Sequence, residues 1–246
     1  MLGRLKKLLS IDSTPGYYAP IENYLNKGSN ALGYAPRHLR NGGVTVDLGG
    51  EGEVLVLSSH ADDIGFVVRY VNADGKIRVC RVGCLYPFQV EHANVRLYTR
   101  DGRMYTGTLR RQNCSLHVMT DTERAEGGDY EKNLFLYLDE DVKSAEDVEK
   151  LGIRCGDVIA LDPCTVFTPS GYIKSRFLDD KVSTAILLTF MKRLKEEGIT
   201  LSRHVTVQFS LYEEIGPGGG AGIPEDTVAF LAVDHGCRLF YTSDPA

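Results

Sequence analysis

The sequence has no apolar run approaching the length of a membrane span. Its first residues, Met1-Leu2-Gly3-Arg4-Leu5-Lys6-Lys7-Leu8-Leu9, also lack the hydrophobic core of a signal peptide. No membrane partner and a cytoplasmic location are the expectation. There is no C-x-x-C pair among the six cysteines, Cys80, Cys84, Cys114, Cys155, Cys164 and Cys237. That argues against a zinc ribbon and for reduced thiols. An excess of positive charge is missing as well: the formal net charge is -5, so a broad nucleic-acid surface is not expected. Tryptophan is absent, which excludes nothing.

What remains is a globular composition, 43% hydrophobic and 25% charged over 246 residues, enough for one or two domains with full cores. Leu2, Leu5, Leu8 and Leu9 recur at helical spacing and predict a first amphipathic helix that packs on the core. A second helix is expected over 19–32, then strands over 44–48 and 54–58. From about residue 65 to 168 the texture changes to short alternating runs, such as Phe66-Val67-Val68-Arg69-Tyr70-Val71 and Leu134-Phe135-Leu136-Tyr137-Leu138, separated by turn signals such as Ala73-Asp74-Gly75. This spacing predicts a small β-barrel or sandwich. A short helix with a Ser144 cap and a Gly152 stop lies within it. Helix–strand alternation then returns, with a long helix over 182–197 and apolar strands over 203–211 and 229–233. The fold class is therefore α/β: a mixed sheet with flanking helices, interrupted by an all-β insert. The expected division is 1–66 with 168–246 for the α/β part and 67–167 for the insert.

Four acidic clusters stand at strand ends or a helix start: His60-Ala61-Asp62-Asp63, Leu178-Asp179-Asp180-Lys181, Tyr212-Glu213-Glu214-Ile215-Gly216 and Val233-Asp234-His235-Gly236. Each alone has a plain structural reading: a hydrogen-bonded histidine, a helix cap, two solvated charges. Together they point to a cation, because adjacent carboxylates beside buried strands repel one another unless one is present. In open α/β sheets function collects at the carboxyl ends of strands. One histidine with several carboxylates is the ligand set of a zinc, cobalt or manganese hydrolase.

The run Gly216-Pro217-Gly218-Gly219-Gly220-Ala221 fits G-x-G-x-x-A, and Asp234 follows Gly216 by 18 residues, nearly a dinucleotide fingerprint. Glu213 and Glu214 would repel a pyrophosphate, and Gly222-Ile223-Pro224-Glu225-Asp226 opens a helix poorly. The nucleotide reading is set aside on those two grounds.

The ordered set His60-x-Asp62 with Ile64-Gly65, Leu178-Asp179-Asp180-Lys181, Glu213-Glu214-Ile215-Gly216 and Val233-Asp234 resembles the tetrahedral aminopeptidases. These are di-metal exopeptidases, some labelled glutamyl aminopeptidase, deblocking aminopeptidase or endoglucanase. Ser13-Thr14-Pro15-Gly16 and Gly222-Ile223-Pro224-Glu225 look like the family too, so the likeness runs from about Leu8 to Asp234. The resemblance implies that His60 and Asp234 bind one metal, Asp179 bridges both, and Glu214 binds the second. It implies Glu213 as the general base and Asp62 as the carboxylate that orients His60. Two divalent ions are implied, zinc first, with cobalt or manganese as alternatives. The implied substrates are short peptides that lose N-terminal residues. The insert is implied to be a dimerisation domain in a homo-oligomer of dimers building to a dodecamer.

One departure stands out. The family takes a further histidine for its second metal from a segment well past its equivalent of Asp234, whereas this chain ends at Ala246 and its tail, from Arg238, no longer resembles the family. His38, His92, His117, His204 and His235 do not match that position. Neighbours on a strand point to opposite faces, so Asp234 and His235 are not expected to share a site. The expectation is therefore that the C-terminal part of the family is lacking. The expectation is a metallo-aminopeptidase, with two alternatives: a non-catalytic metal-binding relative that has lost its second metal site, or a glycoside hydrolase using paired carboxylates.

Overall fold

The computed structural model describes residues 1–113, 115, 117–122 and 133–236. Cys114, Cys237 and the tail from Arg238 lie outside the described residues. The cysteines Cys80, Cys84, Cys155 and Cys164 are free and exposed.

Helix α1 (Leu2–Leu9) buries Leu5, Leu8 and Leu9 and leaves Lys6 and Lys7 in solvent, although Leu2, expected on the same face, is exposed. Helix α2 (Ala19–Ala31) opens with Pro20 in its first turn, where the missing N–H leaves no helical bond unmade, and buries Ile21, Leu25 and Ser29. Strands β1 (Pro36–His38), β2 (Val44–Asp47), β3 (Val54–His60), β12 (His204–Ser210) and β13 (Thr227–Ala232) form one mixed sheet in the order β1-β2-β12-β3-β13. The pairs β1/β2 and β2/β12 are antiparallel, while β3 is parallel to both β12 and β13.

Alternation along these strands gives the sheet two unlike faces. Val44, Val46, Val207 and Phe209 join Leu5, Leu8, Ile21, Leu25, Leu187 and Met191 in one core beneath the helices. Ser59 Oγ, on that side of β3, lies 3.0 Å from Thr184 Oγ1 of helix α4 (Leu178–Glu196). On the opposite face the Ser58 hydroxyl donates to Gln208 Oε1 at 3.1 Å, and the Gln208 amide donates to the Ala221 carbonyl at 2.6 Å. The glycine run covers this polar face as a three-residue helical turn, Gly218–Gly220. A Cβ on Gly219 would lie 2.8 Å from Ser58 Oγ and 2.9 Å from the Phe230 ring, so glycine there permits close packing on the sheet. No helix follows the run before β13, which removes the phosphate-binding geometry the nucleotide reading needed.

Strands β4 (Gly65–Val71), β5 (Ile77–Val82), β6 (Asn94–Tyr98), β7 (Met104–Arg111), β8 (Leu134–Leu138) and β9 (Val158–Leu161) close into a barrel in the order β4-β5-β8-β7-β6-β9. It has its own core, including Phe66, Ile77, Leu97, Leu109, Leu136 and Ile159. Helix α3 (Ala145–Lys150) carries the expected cap, the Asp147 amide donating to Ser144 Oγ at 3.2 Å. A small hairpin, β10 (Val166–Phe167) with β11 (Ile173–Lys174), leads to α4. Neither the hairpin nor β1 is foreshadowed by apolar periodicity, because both strands of the hairpin and β1 are short and largely exposed.

The barrel is tied to the N-terminal segment by one carboxylate. Asp12 accepts two hydrogen bonds from the Arg96 guanidinium, at 2.5 and 2.7 Å, and one from the Tyr98 hydroxyl at 2.6 Å. Tyr17 stacks on the Tyr98 ring at a centroid distance of 3.9 Å.

Candidate metal centre

Three strands, β12, β3 and β13, run parallel, so their carboxyl ends meet along one edge of the sheet. Register fixes which residues meet. Ser210 pairs with His60 and Ala232 with Ser58, which brings Asp234 level with His60 on one side and the turn carrying Glu213 and Glu214 just beyond it on the other. Helix α4 presents Asp179 and Asp180 from below. Both have non-helical backbone angles, and the peptide between them is cis.

His60 is buried, with 3% exposure, and its two ring nitrogens face different surroundings. Nδ1 lies 3.2 Å from the Asp62 backbone carbonyl and 3.5 Å from Asp62 Oδ1. Nε2 lies 3.0 Å from Asp179 Oδ1, 3.8 Å from Glu213 Oε2 and 3.9 Å from Asp234 Oδ1. Asp62 is wholly buried. Its two oxygens accept the backbone amides of Glu213 and Glu214, at 3.3 and 3.1 Å. One carboxylate thus fixes the histidine ring and the glutamate turn together.

Asp180 is also wholly buried. Its Oδ2 accepts the His60 amide at 3.4 Å, while its Oδ1 has no hydrogen-bond partner among the described residues. That oxygen lies 3.3 Å from His235 Nδ1, which is itself 3.7 Å from Asp179 Oδ1. One ligand atom from each of Asp179, Asp180, Asp234 and His235 falls within 4.8 Å of the others. The expectation that Asp234 and His235 must point apart is corrected here. β13 ends at Ala232, and strand alternation does not govern residues past the end of the ladder.

The field of these groups is strongly negative. Burial alone would lower the basicity of His60, but the Asp62 contact and the charges of Asp62, Asp180 and Glu213 push its pKa up to about 10. Burial raises Asp180 to about 6, with Ser183 and His60 pulling the other way. Burial raises Glu214 to about 7, opposed by His60 and reinforced by Asp62, Asp179 and Glu213. A cluster that draws protons onto buried carboxyls is one a divalent cation would neutralise. The donor set of imidazole and carboxylate suits zinc, manganese or cobalt, and the unbonded Asp180 oxygen is a buried acceptor still lacking a partner. The residues therefore fit a metal.

Two features around the site escape motif reading. Lys181 and Asp63 form a buried ion pair beneath the acidic cluster, and Asp180 and His235 add potential donors to it. The available sequence signal was the lysine directly after the acidic pair, since a buried lysine needs a carboxylate nearby.

Residues 42–242 match the M42 glutamyl aminopeptidase family. The putative aminopeptidase YhfE of Bacillus subtilis is 36% identical over 234 residues, covering 94% of this chain and 67% of its own length. The glutamyl aminopeptidase of Lactococcus lactis is 27% identical over 225 residues, 88% of this chain and 60% of its own. Among solved structures, the Pyrococcus horikoshii TET1 peptidase, described as assembling into a tetrahedron or a large octahedral shell, superposes with a TM-score of 0.76 at 21% identity. That match covers 87% of this chain and 62% of the other, and it shows likeness of fold. The chain thus spans about two thirds of the length of these relatives. Among the described residues no helix is long and apolar enough to cross a membrane.

Proposed function

Because this chain belongs to the M42 glutamyl aminopeptidase family, we propose that it is built to remove N-terminal residues from short peptides with two divalent metal ions. The observation that carries this reading is the surround of His60 Nε2, which faces carboxylates from helix α4, the turn after β12 and the end of β13. His60, Asp179 and Asp234 would hold one ion, and Glu214 with Asp179 the other. Bound there, the ions would lower the pKa of a shared water and polarise the scissile carbonyl.

The remaining work falls to protein side chains. Glu213 is about half exposed and its carboxylate lies 3.8 Å from His60 Nε2, at the rim of the cluster. It would accept the proton of the attacking water and return it to the leaving amine. Asp62 holds the amide of this base and the imidazole of His60 in one arrangement, so base and ligand keep their spacing. Asp180 anchors the His60 backbone from the helix side. Assembly into a homo-oligomer is supported by the shells described for the Pyrococcus horikoshii peptidase.

The test is metal content per chain measured beside hydrolysis of aminoacyl-anilides, with and without a chelator. Turnover that disappears with the chelator and returns with zinc, cobalt or manganese is expected. Glu213→Gln should abolish turnover and leave metal content nearly unchanged. Turnover that survives complete metal removal would exclude this chemistry. A protein that binds metal without turnover would be the non-catalytic relative.

A further inference from the structure

We propose that His235 is a further metal ligand, facing with Asp180 the divalent cation that Asp179 and Asp234 would hold. The proposal rests on the metal-centre reading above and adds to it an imidazole and a buried carboxylate that the family resemblance does not assign. Three observations carry it.

The first is position. His235 follows Asp234 directly, but both lie past the last paired residue of β13, where the chain is free to turn both side chains toward α4. Its Nδ1 lies 3.3 Å from Asp180 Oδ1 and 3.7 Å from Asp179 Oδ1. Zinc–ligand bonds of about 2.0–2.2 Å in a tetrahedron place donor atoms about 3.3–3.6 Å apart, so the Asp180 separation is that of ligands sharing an ion and the Asp179 one lies just beyond it.

The second is the state of Asp180. Its side chain is wholly buried, and its Oδ1 accepts no hydrogen bond from any of the described residues. A buried carboxylate oxygen without a donor is costly, and the direction it faces is the imidazole of His235 and the open side of the cluster. A cation between Asp180 and His235 would satisfy that oxygen and use the imidazole lone pair at once.

The third is adaptability. Asp179, Asp234 and His235 are 61%, 37% and 42% exposed, so their side chains can rotate inward onto an ion without repacking a core. The fixed member of the set is Asp180, which is held by the His60 amide. The competing arrangement is a protonated His235 paired with Asp180, with no role in metal binding.

The experiment uses the full chain and zinc or cobalt salts as probes. Zinc affinity and stoichiometry are measured by chelator competition for the parent, His235→Ala and, as a surface control, His204→Ala. Loss of an outer-shell partner already weakens metal binding about 10–100-fold, so His235→Ala should lose at least as much for one equivalent, with His204→Ala unchanged. His235→Cys, loaded with cobalt, should gain a sulfur-to-cobalt charge-transfer absorption that the parent lacks, a signal that does not depend on turnover. If the parent binds metal and both His235 variants bind it identically with no new absorption, the ion-pair arrangement stands and the proposal falls alone. If the parent binds no divalent metal, the metal-centre reading falls with it.

Discussion

Lys181 Nζ lies 2.5 Å from Asp63 Oδ2, and the two side chains are 0% and 3% exposed. The same ammonium donates to the Ile11 carbonyl at 2.7 Å, and the Ser13 hydroxyl lies 2.9 Å from the same Asp63 oxygen. Three segments, the chain after α1, the turn after β3 and the start of α4, are thereby joined under the acidic cluster. Breaking a buried pair by removing one partner leaves a charge without compensation and costs about 3–5 kcal/mol. Lys181→Met should lose that much stability in urea unfolding of the metal-free protein at neutral pH, and Asp63→Asn on the same background should recover most of it. Burial pushes Asp63 up to about 6 while Lys181 pulls it down, so removing the lysine raises it further. A carboxyl whose folded pKa exceeds its unfolded value binds protons more tightly when folded, so stability from that group falls as pH rises between the two values. The Lys181→Met loss should therefore be smaller at pH 5 than at pH 8. Equal losses at both would mean that Asp63 is not the group left unpaired.

The hold of Asp12 on the barrel predicts a loss of stability in alkali. Burial, together with the hydrogen bond and charge of Asp12, raises the Tyr98 phenol well above its usual range. The unfolded phenol ionises near 10, so above that pH the unfolded state sheds a proton that the folded state keeps. Stability is full below about 10 and declines as pH climbs toward the folded pKa. Tyr98→Phe should be less stable at pH 8 by about 1.5–3 kcal/mol, the worth of a hydrogen bond to a charged acceptor. Its unfolding midpoint should also fall less steeply than the parent's between pH 9.5 and 11. Parallel curves would remove Tyr98 as the responsible group.

The glycine run offers a contrast within three residues. A Cβ at Gly219 would meet Ser58 Oγ at 2.8 Å, the Phe230 ring at 2.9 Å and Gln208 Oε1 at 3.0 Å, whereas one at Gly220 would meet none of the described residues within 4 Å. Gly219→Ala should cost about 1–3 kcal/mol as overpacking, and Gly220→Ala should stay within about 0.5 kcal/mol of the parent. Thermal and urea unfolding of the two variants would show whether the run serves sheet packing.

These positions mark where sequence reading succeeds and where it stops. The apolar runs of β3 and β12 and the leucine spacing of α1 are local signals with one physical cause, burial, and they locate those elements within a residue or two. His60, Asp179, Glu213, Glu214 and Asp234 stood out because charge beside a buried strand is costly and needs a reason. Asp180 and His235 stood in the same clusters but received no ligand role, because their meeting depends on where β13 ends and on a helix start with non-helical angles. Lys181 with Asp63, and Arg96 with Asp12, are more than eighty residues apart in sequence, and no periodicity links partners at that distance. The same motif scan that made the glycine run look like a phosphate loop could not see Ser58 and Gln208 beneath it.

Asp62 is the residue on which the proposed ligand His60 and the proposed base Glu213 both depend. Its two oxygens accept the Glu213 and Glu214 amides, and Oδ1 lies 3.5 Å from His60 Nδ1. Asp62→Asn keeps the volume but puts an NH2 group where an acceptor stood, so at least one amide loses its partner and the pull on the imidazole weakens. Outer-shell changes of this kind lower metal affinity about 10–100-fold. The expected result is weaker zinc binding by that factor, together with a fall in kcat that persists when metal is saturating, because Glu213 is displaced as well as His60. KM for an aminoacyl-anilide should change far less than kcat. A purely structural Asp62 would predict the opposite pattern: lower unfolding stability, unchanged metal affinity and unchanged kcat in the fraction that remains folded. Chelator competition beside saturating-metal kinetics on Asp62→Asn therefore separates a residue that orients the centre from one that only holds the turn.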